Sequence, residues 1–172
     1  DKPANIIFDS DMGPDYDDVG ALAILHAMAD NGECNILATI SSNKNSLTAP
    51  ALSVLNTYFK SPDITVGVIK GEGVSIPCSQ KWDSMIVTNY PHAIKTNEEA
   101  YDAVKLYRKI LAAQPDQSVT IVTVGFLTNM ANLLQSKPDE FSPLSGKELI
   151  GKKVKLLVSM AGCFNNNIGT FR

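Results

Sequence analysis

Apolar and polar positions alternate along this chain in blocks that predict strands and helices in turn. Short, nearly continuous apolar runs bounded by turn residues are typical of buried strands. Such runs predict five strands: Asn5–Asp9, Ile36–Ser41, Ile64–Val68, Val119–Val124 and Val154–Ser159. Helix-like runs between them predict four helices: Val19–Ala29, Thr48–Phe59, Glu98–Ala113 and Asn129–Gln135. This alternation predicts an α/β fold with a mostly parallel sheet flanked by helices and a Rossmann-like core.

Local patterns refine three of the connections. The segment Thr96-Asn97-Glu98-Glu99 has the Thr-x-x-Glu form of a capping box, which predicts the start of the third helix. Thr128 is the predicted N-cap of the fourth helix. The segment from Gly71 to Lys95 has little periodicity and predicts a long loop, either a lid over a binding site or a surface excursion anchored by Trp82.

Length and charge narrow the class of protein. A chain of 172 residues fits one domain with a sizeable core. A net charge of −3 gives nucleic-acid binding no electrostatic support, and no apolar run approaches the roughly 20 residues that cross a bilayer. Cys34, Cys78 and Cys163 lack metal-ligand spacing and are expected to be buried or incidental thiols. The sequence leaves open whether the protein is cytoplasmic or exported to the periplasm.

Five aspartates within ten residues are the most informative feature of the chain. They directly follow the first predicted strand, in Asp9-Ser10-Asp11-Met12-Gly13-Pro14-Asp15-Tyr16-Asp17-Asp18. In open α/β sheets, ligands bind at the carboxyl ends of strands. Clustered carboxylates raise one another's pKa, and a hard cation such as calcium or magnesium removes that penalty. Asp15 is also explained as a turn residue and Asp17 or Asp18 as a helix cap, but these roles would account for only one or two of the five aspartates.

Two other turns are expected at the same edge of the sheet. One is Val124-Gly125-Phe126-Leu127-Thr128-Asn129, whose free backbone carbonyls could ligate a hard cation. The other is Ser41-Ser42-Asn43-Lys44-Asn45, whose asparagine side chains could bind sugar hydroxyls. Taken alone, each segment is more often an ordinary connection between a strand and a helix, with its asparagines as turn or capping residues.

Together these segments resemble the inosine-uridine preferring nucleoside hydrolases. The signature of that family is a strand ending in Asp-x-Asp-x-Gly, followed by an Asp-Asp pair that opens a helix. This chain has Asp9 to Gly13 and then Asp17-Asp18, with a turn two residues longer than the shortest form. Its Gly125 to Asn129 segment matches the family's Gly-x-Leu-Thr-Asn turn, and Ser159 to Gly162 resembles a Met-Gly-Gly stretch. The resemblance runs in order through nearly the whole chain.

The resemblance implies calcium-dependent hydrolysis of the N-glycosidic bond of ribonucleosides to ribose and free base. It implies that Asp11 ligates calcium and acts as general base toward the attacking water. The other implied roles are Asp18 and the Val124 carbonyl as calcium ligands, Asp17 and Asn45 as sugar contacts, Met160 as a wall of the ribose pocket, and Asp9 as support for the cluster. Carboxylates suit this chemistry, because the transition state resembles an oxocarbenium ion.

The chain departs from the family in its length. Family members are roughly twice as long, and their second half supplies a further calcium-binding aspartate, a histidine near the leaving base and more sugar contacts. Residues 1–172 are therefore expected to form a single α/β domain that corresponds to the N-terminal part of a nucleoside hydrolase. Such a domain is expected to expose apolar surface, and to form a homo-oligomer or pair with a complementary C-terminal fragment. The preferred base is not determined by this half.

Three other classes of protein share part of the acidic pattern. A haloacid dehalogenase-type phosphatase would have Thr or Val where Gly13 stands, and would leave the Asp17-Asp18 pair unexplained. An EF-hand is excluded, because Gly13 occupies the place of a ligand and Pro14 the place of its glycine. A non-catalytic domain that binds a cation or a sugar remains the alternative from a different class.

Overall fold

The computed structural model describes residues 2–162 of the chain. Within this range the strands are β1 (Ala4–Ser10), β2 (Cys34–Ser41), β3 (Val66–Val68), β4 (Tyr101–Asp102), β5 (Val119–Thr123) and β6 (Val154–Ser159). The helices are α1 (Asp17–Asp30), α2 (Thr48–Tyr58), α3 (Trp82–Asn89), α4 (Ala103–Ala113), α5 (Thr128–Gln135) and α6 (Gly146–Lys153). All strand pairs are parallel. The predicted α/β class, with a parallel sheet flanked by helices, is confirmed.

The order of the strands places a crevice beside β1. In the described residues the order is β4-β3-β2-β1-β5-β6, so the chain first builds outward from β1 and then returns to its other side. The connections after β1 and β5 therefore leave the sheet in opposite directions. Asp9 of β1 is level with Thr123 of β5, so both turns begin at the same height. Ligands of open α/β sheets bind at such a switch point.

The strand side chains alternate between two hydrophobic cores. Ile6 and Phe8 face the core covered by α1, α2 and α3. Ile7, which lies between them and is fully buried, faces the core covered by α4, α5 and α6. Successive side chains of a strand point to opposite faces, so an unbroken apolar run suits a strand with helices on both sides. This is the physical reason that β1 could be predicted from its sequence.

Three short elements escaped the sequence prediction. Helix α3 lies inside the predicted Gly71–Lys95 loop, and its eight residues carry too little apolar periodicity to stand out. The two-residue strand β4 and helix α6 were also not predicted. The predicted strand Ile64–Val68 is shortened to Val66–Val68. Elements this short receive most of their stability from tertiary contacts, which a local pattern does not record.

Two predicted helix starts were wrong. Helix α4 begins at Ala103, and its cap is Asp102, whose side chain accepts a hydrogen bond of 2.9 Å from Lys105 N. The Thr96–Glu99 segment precedes β4 and caps no helix. A complete capping box forms instead at the start of α6, between Ser145 and Glu148. At the start of α5 the N-cap residue is Leu127, without a side-chain cap, and Thr128 is the first helical residue.

Strand β6 leaves apolar side chains open at the edge of the described sheet. Leu156 and Leu157 are each 52% exposed, and Val158 is 46% exposed. An apolar groove of about 410 Å³ lies next to β6, between α1 and one face of β1, β5 and β6. It is lined by Ile6, Phe8, Ala21, Ile24, Leu25, Met28, Thr120, Val122, Val124 and Val158. Within residues 2–162, the side of β6 that borders this groove is therefore open to solvent.

Two further expectations concern composition. Within residues 2–162, no helix has the length and apolar character that a membrane crossing requires. Cys34 and Cys78 are buried free thiols, as expected for small apolar side chains. Cys163 lies outside the described residues.

Candidate functional site

The connection from β1 to α1 gathers the aspartates at the switch point. Asp11 directly follows β1, and the turn passes through Gly13 at a φ of +148°, a conformation that side chains other than glycine rarely adopt. Helix α1 starts at Asp17, and no side chain caps it. Asp17 and Asp18 therefore occupy its first turn, where the helix dipole favours negative charge. Neither of them caps the helix, so capping does not explain the pair.

Asp18 is a buried carboxylate without a partner. It is 1% exposed, and within residues 2–162 neither of its oxygens has a hydrogen-bond partner. Burial, followed by the charges of Asp11, Asp17 and Asp15, raises the pKa of Asp18 to about 8. Burial also raises the pKa of Asp11, to which the charge of Asp17 contributes. Buried polar groups in proteins are normally paired, so the chemistry of these two carboxyl groups suits a bound cation.

Two more carboxylates surround Asp18 on its exposed side. Single carboxylate oxygens of Asp15, Asp17 and Asp18 all lie within 4.8 Å of one another. A side-chain hydrogen bond with Asp17, followed by burial and the charge of Asp17, raises the pKa of Asp15 to about 6. Asp15 and Asp17 are exposed to solvent, whereas Asp18 is buried beneath them. The group therefore has a side exposed to solvent, formed by Asp15 and Asp17, and a buried side, formed by Asp18.

The turn after β5 packs directly against the aspartate turn. The Val124 amide donates a hydrogen bond of 2.8 Å to the Asp9 carbonyl. A methyl group on Gly125 would overlap the backbone nitrogen of Asp11 and lie 2.7 Å from the Ser10 carbonyl carbon. Only glycine permits this approach. The two turns enclose a depression of about 100 Å³ lined by Asp11, Asp15, Asp17, Val124, Gly125 and Met160.

Below the depression, Asp9 is held in a buried network. Tyr107 donates a hydrogen bond of 2.8 Å to its carboxylate, and Asn129 Nδ2 donates to both carboxylate oxygens at 3.1 and 3.3 Å. Asn129 also donates to the Ser41 carbonyl at 3.2 Å. Burial, opposed by these hydrogen bonds, raises the pKa of Asp9 to about 7. The network ties β1, β2, α4 and α5 together beneath the site.

Asn43, rather than Asn45, is the central asparagine of the turn after β2. The buried Asn43 Nδ2 donates to the carbonyls of Asp11 at 3.0 Å and Ile76 at 2.8 Å. Its Oδ1 accepts from the amides of Asn45 and Ile76, each at 3.0 Å. Asn45 uses its own Oδ1 to accept from Leu47 N, and it is not among the residues that line the depression. Its role at a sugar stays a prediction.

The structure thus brings most of the predicted site residues together. Asp11, Asp17, Val124 and Met160 line one depression, Asp18 lies beneath it, and Asp9 supports it from below. Sequence reasoning missed Tyr107 and the fixing role of Asn43. Tyr107 lies 98 residues from Asp9 on the buried side of an amphipathic helix, and no local signal marks it as a partner of a carboxylate.

Solved structures share this fold. The effector protein XOO4466 has a TM-score of 0.70 at 16% identity, with 93% of this chain and 44% of that chain covered. The type III effector protein XopQ, solved in complex with adenosine diphosphate ribose, has the same TM-score and identity, with 93% and 45% covered. The plant nucleoside hydrolase PpNRh1 has a TM-score of 0.59 at 20% identity, with 94% and 48% covered. The chain spans less than half the length of each.

The sequence itself matches a family. No curated protein matches it in a sequence comparison. The family model described as inosine-uridine preferring nucleoside hydrolase matches residues 6–171. That range contains the aspartate turn, the Gly125 turn and the strands that position them. The chain therefore belongs to the inosine-uridine preferring nucleoside hydrolase family.

Proposed function

We propose that this chain supplies the cation-binding and ribose-binding half of a calcium-dependent N-ribohydrolase, which splits ribonucleosides into ribose and free base. The observation that carries the proposal is the buried, unpartnered Asp18 carboxylate beside Asp11 at the switch point. Family membership supports the reaction class. The residues of the depression support the particular roles below.

Asp11, Asp18 and the Val124 carbonyl are the groups that would hold the cation. All three present oxygen, and hard divalent cations prefer oxygen ligands. Calcium suits the site better than magnesium, because it accepts irregular coordination from carboxylates and backbone carbonyls. When bound, such a cation supplies positive charge that offsets the carboxylate repulsion and acidifies nearby water.

Asp11 is the proposed general base. It lines the depression, so water reaches it, and its pKa is raised by burial and by the charge of Asp17. A carboxylate at this position can accept the proton of a water molecule that the proposed cation acidifies. The negative charges around the depression also stabilise an oxocarbenium-like sugar.

Asp17 and Met160 are the proposed ribose contacts. The exposed carboxylate of Asp17 can accept hydrogen bonds from two neighbouring hydroxyls of the sugar. Met160, 60% exposed at the rim of the depression, offers an apolar wall beside it. Such contacts position the anomeric carbon against the water that Asp11 activates.

The partner of this half is proposed to be a polypeptide segment equivalent to the second half of the matched structures. The apolar groove and the open edge of β6 lie on the side where sheet and site are uncovered in residues 2–162. Exposed apolar surfaces of this kind mark interfaces. The intact mass of the natural protein tests this: we expect a longer chain, or a second polypeptide bound to one of 18.5 kDa. An isolated monomer of that mass would refute it, and a pure homodimer would make a second copy the occupant.

A phosphatase of the haloacid dehalogenase type is disfavoured by the position of Asp9. In that class the first aspartate of the motif is the nucleophile. Here Asp9 is 1% exposed and its carboxylate is occupied by Tyr107 and Asn129, so it is not presented to a phosphate.

Ribose release from inosine and uridine tests the proposed function. The active form should need calcium and lose activity to a chelator, and Asp11→Asn should lower turnover by about 10²–10⁴-fold with the fold intact. Asp63→Asn, at an exposed turn residue, is the matched control and should leave turnover unchanged. If Asp11→Asn turned over at the wild-type rate, the role of Asp11 would be wrong. Binding of calcium and ribose without turnover in the full-length protein would favour a non-catalytic binding domain.

A further inference from the structure

Asp15 lies in the turn between β1 and α1, which is two residues longer than the shortest form in the family, and the proposed function gives it no role. Asp15 lies in the stretch between Gly13 and Asp17 and belongs to neither of the two family motifs. We propose that Asp15 is an additional ligand for a hard divalent cation, so that the β1–α1 turn alone presents a set of carboxylate ligands. The inference rests on the proposed function, because it concerns the same cation site.

The spacing of the carboxylates suits a single ion. Oxygens of Asp15, Asp17 and Asp18 all lie within 4.8 Å of one another. Two oxygens bound to one calcium ion, each at about 2.3–2.6 Å from it, are at most about 5 Å apart. The three carboxylates are therefore close enough to share one calcium ion.

A second observation separates this group from an ordinary acidic surface. Exposed aspartates on a turn are satisfied by water, and their proximity alone says little. Asp18, however, is 1% exposed, and both of its oxygens lack a partner within residues 2–162. One of those oxygens belongs to the group with Asp15 and Asp17. A buried carboxyl group directed at two others must be neutralised either by a proton or by a cation, and a cation at this point offsets all three charges at once.

The remaining donors place Asp15 on the open side of the same site. Asp15 lines the depression together with Asp11, Asp17 and Val124. A cation bound here would contact the buried carboxylate of Asp18 on one side and the exposed carboxylate of Asp15 on the other. Since calcium takes six to eight oxygen ligands, Asp15 adds to the set formed by Asp11, Asp18 and the Val124 carbonyl and does not replace it.

Calcium titration of the chain itself tests the inference. We expect calorimetry with calcium chloride to show binding by the wild type, and Asp15→Asn to weaken it by about 10- to 100-fold, since even an outer partner of a metal ligand is worth that much. Asp15→Glu keeps the carboxylate and should recover most of the affinity. The measurements belong at about 0.15 M ionic strength, where charges beyond roughly 8 Å are largely screened. Asp30→Asn, at the far end of α1, controls for net charge and should change the affinity less than about twofold.

The outcomes distinguish this inference from the proposed function. If Asp18→Asn lost calcium while Asp15→Asn bound it within about threefold of the wild type, Asp15 would not be a ligand, and the proposed site would stand. If Asp15→Asn and Asp30→Asn weakened binding equally, the effect would be general charge and the inference would fail. It would also fail if the wild-type chain bound no calcium up to about 10 mM, well beyond the weakest common class of sites. The proposed function is tested separately, by the assay of ribose release from inosine and uridine.

Discussion

Replacing Asp18 by asparagine should make the metal-free protein more stable while it removes cation binding. Asparagine has nearly the size of aspartate and carries no charge. Its amide can donate a hydrogen bond to the neighbouring Asp11 carboxylate at any pH, whereas Asp18 can donate one only while it holds a proton and otherwise repels Asp11. If removing the Asp18 carboxylate stabilises the calcium-free protein, its presence is explained by a function such as cation binding and not by a contribution to folding.

The magnitude follows from the environment of Asp18. Its pKa is raised from 3.8 to about 8, so the folded state holds a proton that the unfolded state has released. The free energy of unfolding therefore falls as pH rises between about 4 and 8, by roughly 5 kcal/mol if Asp18 carries the whole effect. Because a single proton between Asp11 and Asp18 relieves part of the repulsion, we expect Asp18→Asn to gain about 2–4 kcal/mol near pH 8.

Urea unfolding with a chelator present, near pH 5 and near pH 8, measures this effect. The wild type should lose more stability than Asp18→Asn between the two pH values. Calcium should restore stability to the wild type only, because a ligand that binds the folded state alone stabilises it. Asp63→Asn, on an exposed turn, should follow the wild type. Equal losses for wild type and Asp18→Asn would refute the reasoning.

Two further substitutions test the support of the site. Gly125→Ala should lower the free energy of unfolding by about 2 kcal/mol or more and weaken calcium binding, because its methyl group would press on the Asp11 backbone. Gly20→Ala is the control: its methyl group has open space around it, so the same unfolding assay should show no change or a slight gain in stability. Tyr107→Phe should cost about 1–3 kcal/mol in thermal or urea unfolding, because Asp9 loses a buried donor; an unchanged midpoint would show that the hydrogen bond contributes nothing to stability.

The local sequence pattern predicted an element correctly where one continuous run of residues determined its structure. The apolar run of β1 predicted a strand buried on both faces, and the Asp9–Asp18 segment predicted a carboxylate cluster at its end. The Thr96–Glu99 pattern failed, because a capping box is only four residues long and Asp102 competes for the start of α4. Asn43 and Asn45 are turn asparagines with the same local signal, and the role of Asn45 at a sugar is implied only by the resemblance. The hydrogen bonds that separate them involve Ile76, more than thirty residues away.

The sequence by itself determined the α/β class, the family resemblance and the identity of the acidic residues, because periodicity and motif order are properties of adjacent positions. Tertiary structure decided which carboxylates are buried and which are exposed to solvent. The order of the strands brings the Gly125 turn against Asp11, and the packing of α1 buries Asp18 while it leaves Asp15 in solvent. Burial and distance between residues far apart in the chain control pKa and cation affinity, and they exist only once the sheet has formed.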